Sequence, residues 1–274
     1  MRRLLGLLLF LGTLASAGGV LRLATTTSVY DSGLLDAILP GFERETGLHV
    51  QVIAVGTGQA LKIAGRGDAD AVLVHAPALE AEFLRRGLGV RHRCVAKNRF
   101  LIVGPEADPA GVRGARGALD AFRRIYARGA LFVSRGDDSG THKKERALWQ
   151  AAGLVPDGRP WYLESGSGMG ATLTLASEKG AYTLTDLGTF LYMRDKVRLL
   201  ALFDRDDPRM LNQYGYMEVN KKRFPWVNAA GARALGDYLL RPEVQHMIGD
   251  YQRARFGRSL FTPLFGRCAV PVKP

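Results

Sequence analysis

Short β-branched runs alternate with stretches whose apolar residues recur every three or four positions. The runs VLRLATTTS, LHVQVIAVG and DADAVLVHAP have the composition of strands. Between the first two, DSGLLDAILPGFERETG places Leu34, Leu35, Ile38, Leu39 and Phe42 on one helical face. This alternation predicts an α/β fold, with a mostly parallel sheet and helices on both faces.

The same alternation continues through the rest of the chain. Further strands are predicted at RFLIVG, LFVS, KVRLLALF and YGYMEVNK. Helices are predicted at ALDAFRRIYARG, THKKERALWQAAG, AYTLTDLGTFLYMRD and AAGARALGDYLLRPEVQHMIGDYQ, followed by an irregular tail. We predict two α/β lobes, one formed by residues 18–102 and 216–274 and the other by residues 103–215. The chain would cross between them near 99–103 and 213–219.

The first seventeen residues form a separate segment. MRRLLGLLLFLGTLASA has two arginines, an apolar run and a small-residue end, which is the order of a secretory signal peptide cleaved after Ala17. The apolar run is too short for a comfortable membrane span, and no cysteine follows the cleavage point to carry a lipid. We therefore expect an exported, periplasmic protein that is free of the membrane.

Charge and cysteine content limit the partners only weakly. The net charge of +12 is compatible with a nucleic-acid partner, but the basic residues are scattered and an exported protein rarely meets DNA. We therefore expect no nucleic-acid partner and a solvated basic surface. In an oxidising compartment Cys94 and Cys268 can pair, and the sequence leaves the pairing open. No His–Cys spacing indicates a cation site.

Three predicted strand-to-helix junctions carry the candidate chemistry. Each combines hydroxyl side chains, glycines and a helix N-terminus, where free N–H groups and the helix dipole favour an anion. Arg135 adds a planar guanidinium that can bind two oxygens at once. The residues concerned are Thr26, Thr27 and Ser28, then Gly56 and Thr57, and finally Arg135, Ser139, Gly140 and Thr141. One such junction is typical of an ordinary helix cap, but three at one sheet edge indicate an oxyanion site.

Two further features surround these junctions. Asp138 is expected to cap the helix near Ser139, and either Asp137 or Asp138 to hold Arg135 in an ion pair. A fourth junction, GSGMG at 166–170, offers backbone donors at Met169 and Gly170 from the second lobe.

Two histidines invite other interpretations. His75 stands alone at a strand end, which is more typical of a packed or hinge-lining side chain than of a metal ligand. His142 follows Ser139 by three residues, so an exported serine hydrolase is a remote alternative. Ser139 lacks the strained turn of a Gly-x-Ser-x-Gly motif, which disfavours that alternative.

Several long motifs occur in the order of a known family. TTTS, AVGTGQAL, GDADAVLVHAP, SRGDDSGTHKKE and ESGSGMGATLTLASEKGAYTLTD resemble the tungstate-binding proteins of bacterial ABC importers. The resemblance implies the type II two-lobe periplasmic-binding-protein fold with its ligand between the lobes. It also implies a non-enzymatic, monomeric protein without a cofactor, which captures tungstate, binds molybdate more weakly and delivers its ligand to an inner-membrane ABC permease. By motif, the ligand shell would be Thr26, Thr27, Ser28, Gly56, Thr57, Arg135, Ser139 and Thr141.

The chemistry of the junctions agrees with a fully ionised ligand. Phosphate keeps a proton at neutral pH, and a site that binds it well needs a carboxylate to accept a hydrogen bond from the phosphate O–H group. The strand DADAVLVHAP ends in His-Ala-Pro rather than in an acid. A site made only of donors would leave the phosphate O–H unpaired. This selects tungstate, molybdate or sulfate as a group, so a molybdate, sulfate or phosphate receptor of the same fold remains the alternative.

Overall fold

The computed structural model describes residues 19–272, so the predicted signal peptide lies outside the described residues. The strands are β1 (Val20–Thr26), β2 (His49–Val55), β3 (Ala71–Val74), β4 (Gly89–Gly104), β5 (Phe132–Ser134), β6 (Tyr162–Glu164), β7 (Thr183–Asp186), β8 (Leu200–Phe203), β9 (Leu211–Val219) and β10 (Thr262–Gly266). The helices are α1 (Thr27–Asp31), α2 (Leu34–Thr46), α3 (Thr57–Ala64), α4 (Pro77–Arg85), α5 (Ala118–Arg128), α6 (Gly140–Ala151), α7 (Met169–Lys179), α8 (Leu187–Met193), α9 (Ala229–Leu239), α10 (Pro242–Asp250) and α11 (Arg253–Phe256). None of these helices has the length and apolar character needed to cross a bilayer.

The α/β class is confirmed, but the sheet is more mixed than predicted. Its main path runs β10-β4-β9-β3-β1-β2, and β7 and β8 also pair with β4. Parallel pairing joins β1 to β2 and β3, and joins β5 to β6. Every pairing made by β4 or β9 is antiparallel. The prediction of a mostly parallel sheet was wrong at these strands, because β4 and β9 run through the sheet in opposite directions.

The two long strands lie side by side where the chain was expected to cross between lobes. The first part of β4 pairs with β9, and its last residues pair with β7 and β8. At the changeover, Asn98 is paired with Asn212, and the Asn212 Nδ2 group donates to Asn98 Oδ1 over 2.8 Å. Both asparagines are buried. The division into residues 18–102 with 216–274, and 103–215, stays a prediction.

Three hydrophobic clusters hold these elements. The largest lies under β1, α2 and α9 and extends to α7 and α8. A second packs α3 and α4 against β3 and β9. The third is aromatic and centres on Trp149 of α6, whose ring lies 4.4 Å from that of Phe122 and 5.3 Å from that of Phe132. This third cluster fixes α6 against β5, and the residues between these two elements belong to the candidate site.

Several predicted elements differ from the structure. The predicted helix at 181–195 is strand β7 followed by α8, since residues 183–186 pair with β4 and Asp186 caps α8 by accepting from the Thr189 N–H over 3.0 Å. The long C-terminal helix is interrupted at Pro242, which has no N–H to continue the helical hydrogen bonds. The tail is not irregular throughout, because its β10 strand pairs with β4.

The structure resolves the question of the two cysteines. Cys94 of β4 and Cys268, which follows β10, form a disulfide with a Cα–Cα distance of 5.0 Å. Adjacent strands bring the residues together across 174 positions of sequence. The disulfide therefore ties the C-terminal segment to the centre of the sheet.

Replacing Trp149 with alanine should lower the free energy of unfolding by about 3–5 kcal/mol, because it removes the centre of the aromatic cluster and leaves a cavity. Chemical denaturation followed by circular dichroism measures this loss. Val155→Ala is the control, since Val155 is 66% exposed and its truncation should change stability by no more than about 0.5 kcal/mol. Equal effects of the two substitutions would contradict the assignment of Trp149 to the core.

Candidate anion-binding site

The first predicted junction lies at the end of β1. Thr26 caps α1, and its Oγ1 accepts from the Val29 N–H over 3.3 Å. The Thr26 and Ser28 hydroxyls lie 3.1 Å apart, and both side chains are buried, whereas Thr27 is half-buried. The three hydroxyls therefore stand at the carboxyl end of β1, as predicted.

The second junction follows β2, the parallel neighbour of β1. Gly56 caps α3 without a side-chain hydrogen bond, and Thr57 is the first residue of the helix. The Thr57 side chain is fully buried, yet its Oγ1 has no hydrogen-bond partner among the described residues. A buried hydroxyl without a partner is uncommon and indicates a place where an acceptor binds.

The third junction lies between β5 and α6. Arg135 is 3% exposed and forms an ion pair with Asp137, as predicted. Asp137 also accepts from the Ser139 N–H over 3.2 Å. The helix cap is Ser139, not Asp138 as expected, because the Ser139 hydroxyl accepts from the His142 N–H. Asp138 has a positive φ of 57° and pairs with Lys143 at the surface instead.

Gly140 is where the second and third junctions meet. A Cβ built on Gly140 would lie 3.0 Å from Thr57 Oγ1 and 2.8 Å from His75 Cε1. The first turn of α6 thus approaches both the start of α3 and the end of β3. Any larger residue at position 140 would push these elements apart, so this glycine permits the close approach.

His75 belongs to this site, although the sequence predicts a packed or hinge-lining side chain. It is 6% exposed, and its Nε2 lies 3.1 Å from the Ser28 hydroxyl. Burial lowers the pKa of His75 to about 4, against an opposing effect of the Asp186 charge, so the ring is neutral at neutral pH. One signal in the sequence pointed to His75. It follows β3, which pairs in parallel with β1, so His75 and Thr26 lie at the same edge of the sheet.

Four buried polar atoms of the site lack a hydrogen-bond partner among the described residues. They are Thr57 Oγ1, His75 Nδ1, Arg135 Nε and Thr141 Oγ1. If the Ser28 hydroxyl donates to Nε2 of His75, the ring proton resides on Nδ1, so all four groups are able to donate. An oxyanion would satisfy the Thr57, Arg135 and Thr141 donors, and a cation would not. The His75 ring also has a hydrogen-bonding neighbour in the buried Asn212 side chain, which acts to raise its pKa.

The fourth predicted junction, at 166–170, is connected to the candidate site through the loop before α7. Met169, the first residue of α7, is 2% exposed and packs in the largest hydrophobic cluster, so its side chain does not belong to a polar site. Gly170 faces Met193, whose sulfur would lie 3.9 Å from an added Cβ. The Ser165 hydroxyl donates to the Arg135 carbonyl over 3.2 Å, which brings the loop before α7 beside Arg135. A backbone contribution from Met169 and Gly170 stays a prediction.

Two acids near the site were not expected. Burial raises the pKa of Asp31, and the Arg135 charge acts in the opposite direction, so this carboxyl lies within electrostatic reach of the guanidinium. Asp186 acts on His75 in the same way, but its carboxylate accepts from both the N–H and the hydroxyl of Thr189, over 3.0 and 2.7 Å. The expectation of a site made only of donors therefore left these two carboxyl groups out.

The geometry at Ser139 differs from that of a hydrolase. The Ser139 hydroxyl accepts from the backbone of His142, and His142 Nδ1 accepts from the Asp138 N–H over 3.0 Å. No hydrogen bond between the Ser139 and His142 side chains occurs in residues 19–272. A nucleophile and its base need such a bond, so this pair has the arrangement of a helix cap.

Comparison with known proteins identifies relatives over most of the chain. A family model for the PBP superfamily domain matches residues 14–243. The tungstate-binding protein TupA of Peptoclostridium acidaminophilum is 43% identical over 249 residues, which cover 90% of this chain and 86% of that protein. The solved structure of the tungstate ABC transporter from Geobacter sulfurreducens has 48% identity and a TM-score of 0.77, covering 85% of this chain and 98% of that one. Tungstate-binding protein TupA from Desulfovibrio alaskensis G20 has 41% identity and a TM-score of 0.78, covering 90% and 99%.

The fold and these matches define the class of protein. The chain belongs to the PBP superfamily. Within that superfamily it belongs to the family that includes the tungstate-binding protein TupA.

The neutral His75 should make the protein less stable in acid. Between about pH 6.5 and 4 the unfolded chain takes up a proton at this residue and the folded chain does not, so the free energy of unfolding falls as the pH falls. The loss is on the order of 2–3 kcal/mol across that window. Denaturation at several pH values in anion-free buffer should show a shallower acid loss for His75→Gln than for the parent protein. His246→Gln, at an exposed position, should keep the parent slope; equal slopes in both variants would refute the assignment.

Proposed function

We propose that this protein is an exported, non-enzymatic receptor that captures tungstate, binds molybdate more weakly and passes its ligand to an ABC permease. One observation carries the proposal: four buried polar groups, from the second and third strand-to-helix junctions and from the end of β3, lack hydrogen-bond partners among the described residues. Polar groups in a protein interior are nearly always paired, so an acceptor-rich ligand is the partner that these groups need. A tetrahedral oxyanion presents four acceptor oxygens and no donor.

The charge of the site suits a fully deprotonated dianion rather than a protonated anion such as hydrogen phosphate. Arg135 is partly neutralised by Asp137, and His75 is neutral, so hydroxyl, imidazole and backbone dipoles supply much of the attraction. Each carboxylate oxygen of Asp186 accepts a hydrogen bond from Thr189, and Asp31 is exposed. This supports selection of tungstate, molybdate or sulfate over hydrogen phosphate. The order tungstate before molybdate rests on the relatives named for tungstate.

Ligand capture would bring two lobes together. With the predicted boundaries, α3 and β3 belong to one lobe and α6 to the other, and they meet at Gly140. Strands β4 and β9 would carry the hinge at the Asn98–Asn212 pair. Closure over a desolvated anion strengthens each hydrogen bond to it. The closed, monomeric receptor would then be presented to the permease at the periplasmic face of the inner membrane.

Replacing Arg135 with alanine should weaken tungstate binding at least about 100-fold, because it removes a cationic donor from a buried site. Calorimetric titration of the mature, anion-stripped protein with tungstate, molybdate, sulfate and phosphate measures this effect. Arg128→Ala is the matched control, since Arg128 is an exposed arginine on α5. Tungstate binding by Arg135→Ala at parental affinity would show that the site is wrong, and a parent protein silent toward all four anions would refute the receptor.

The two unpartnered threonine hydroxyls allow a finer test of the shell. Thr57→Val and Thr141→Val keep side-chain shape and remove one donor each, so each should weaken tungstate binding about tenfold. Thr174→Val is the control, because Thr174 is exposed on α7 and its hydroxyl donates to the Gly170 carbonyl. The same titrations measure the effect, and unchanged affinity in both buried variants would exclude these hydroxyls from the ligand shell.

The alternatives predict different results in related assays. A serine hydrolase would keep anion binding and lose ester turnover in Ser139→Ala. A nucleic-acid partner requires salt-dependent binding to DNA, which a receptor of small anions does not show.

A further inference from the structure

A histidine and two cysteines lie together on β4 and the C-terminal segment, away from the anion site. His92 Nδ1 lies 3.7 Å from Cys268 Sγ, and His92 Nδ1, Cys94 Sγ and Cys268 Sγ all lie within 4.8 Å of one another. His92 and Cys94 are two positions apart on one strand, which directs both side chains to the same face of the sheet. From the sequence we expected no cation site, because two cysteines are too few by themselves and no His–Cys spacing indicated one.

We propose that reduction of the Cys94–Cys268 disulfide converts this cluster into a zinc site with two thiolates and one imidazole. Two sulfurs and one nitrogen are the ligands that Zn²⁺ prefers, and a water molecule would complete a tetrahedral set. A dithiol reductant supplies the two electrons. Its thiolate attacks Cys268 Sγ, Cys94 leaves as a thiolate, and the second reductant thiol displaces Cys268 as the reductant closes to its own disulfide. Zn²⁺ then replaces the protons of the two thiols.

Glu80 prepares His92 for this role. Its Oε2 lies 2.7 Å from His92 Nε2, and the exposed fractions of the Glu80 and His92 side chains are 0% and 9%. A carboxylate on one ring nitrogen is the arrangement that orients a metal-binding imidazole and raises its basicity. With Nε2 held by Glu80, Nδ1 is directed at the cysteines. Glu80 is itself fixed, because its Oε1 accepts from the Ala76 N–H over 2.7 Å.

The backbone of β9 leaves room for the Glu80 and His92 side chains. Gly215 of β9 lies opposite Cys94, and a Cβ there would approach Glu80 Oε2 to 2.2 Å and His92 Nε2 to 2.5 Å. A side chain at position 215 would therefore displace both groups. The glycine keeps the carboxylate–imidazole pair buried against the strand.

The C-terminal segment can supply Cys268 without leaving the sheet. Tetrahedral zinc with metal–sulfur bonds of about 2.3 Å holds its two sulfurs about 3.8 Å apart, so the sulfurs must separate after reduction. Gly266 pairs with Cys94, and Gln213 is hydrogen-bonded to both the N–H and the carbonyl of Val270, each over 2.9 Å. These contacts hold the chain on both sides of Cys268, so rotation of its side chain opens the site while the thiol stays near.

The test uses the full mature protein and Co²⁺ as a spectroscopic probe for zinc. The chain is reduced with a phosphine, freed of reductant without oxygen, and titrated with Co²⁺ alongside the oxidised chain. We expect one Co²⁺ per reduced chain, with a thiolate-to-cobalt charge-transfer band that Zn²⁺ abolishes, and no such band in the oxidised chain. Circular dichroism establishes that the reduced chain is folded. Unfolding on reduction, or a reduced chain without the band, would overturn the proposal.

Variants separate a metal ligand from a structural contact. His92→Ala should weaken Co²⁺ binding to the reduced chain at least tenfold, and Cys268→Ser should lower the charge-transfer intensity. Glu80→Gln should weaken binding about 10- to 100-fold while leaving the band in place. His49→Ala is the matched control, since His49 is exposed on β2 at the opposite edge of the sheet. The proposal fails if His92→Ala binds Co²⁺ as His49→Ala does.

Discussion

The antiparallel pairing of β4 with β9 is the contact on which the rest of this structure depends. Within the described residues, β4 pairs with β9, β10, β7 and β8, so one strand joins most of the main sheet. Near the end of the pairing the buried Asn212 donates to Asn98 and to the Tyr214 hydroxyl, each over 2.8 Å. The Tyr214 ring lies 5.2 Å from that of His75. The place where the chain changes from one half of the sheet to the other is thus in direct contact with a residue of the candidate site, which allows motion at the strands to alter the site.

The site itself follows from where strands end. Strand β1 pairs in parallel with β2 and β3, so the carboxyl ends of the three strands lie at one edge of the sheet. This explains why Thr26, Thr57 and His75 all lie at that edge. Arg135 arrives from a separate sheet, and the aromatic cluster around Trp149 sets its position by packing α6 against β5. The polar groups are therefore placed by apolar packing at some distance from them.

Some site residues follow from local sequence patterns and others from contacts between distant residues, and this difference explains what could be predicted from sequence. Thr57, Arg135 and Thr141 could be predicted for the candidate site because hydroxyls, glycines and an arginine at strand ends are a local pattern. His75 was not predicted for the site because its place at a strand end was a weak signal, and its contact with Ser28 joins residues 47 positions apart. The cap at Ser139 was placed one residue early because Asp and Ser serve equally well at that position. The first ten residues of β4, the strand β10 and the disulfide depend on distant partners, so local periodicity did not reveal them.

The unpartnered donors also connect binding with closure. A buried polar group without a partner costs about 1–3 kcal/mol, so an arrangement that buries several such groups is unfavourable until an acceptor joins them. Thr57 and His75 form one side of the candidate site, at the start of α3 and the end of β3, and Arg135 and Thr141 form the other, at the β5–α6 junction. An anion with several oxygens accepts from both sides at once, whereas contact with one side alone leaves the other side's donors unpaired. The free energy of ligand binding is then gained mainly in the closed arrangement, and this is the condition under which a ligand shifts a conformational equilibrium. A receptor built in this way signals its loaded state through the same hydrogen bonds that select its ligand.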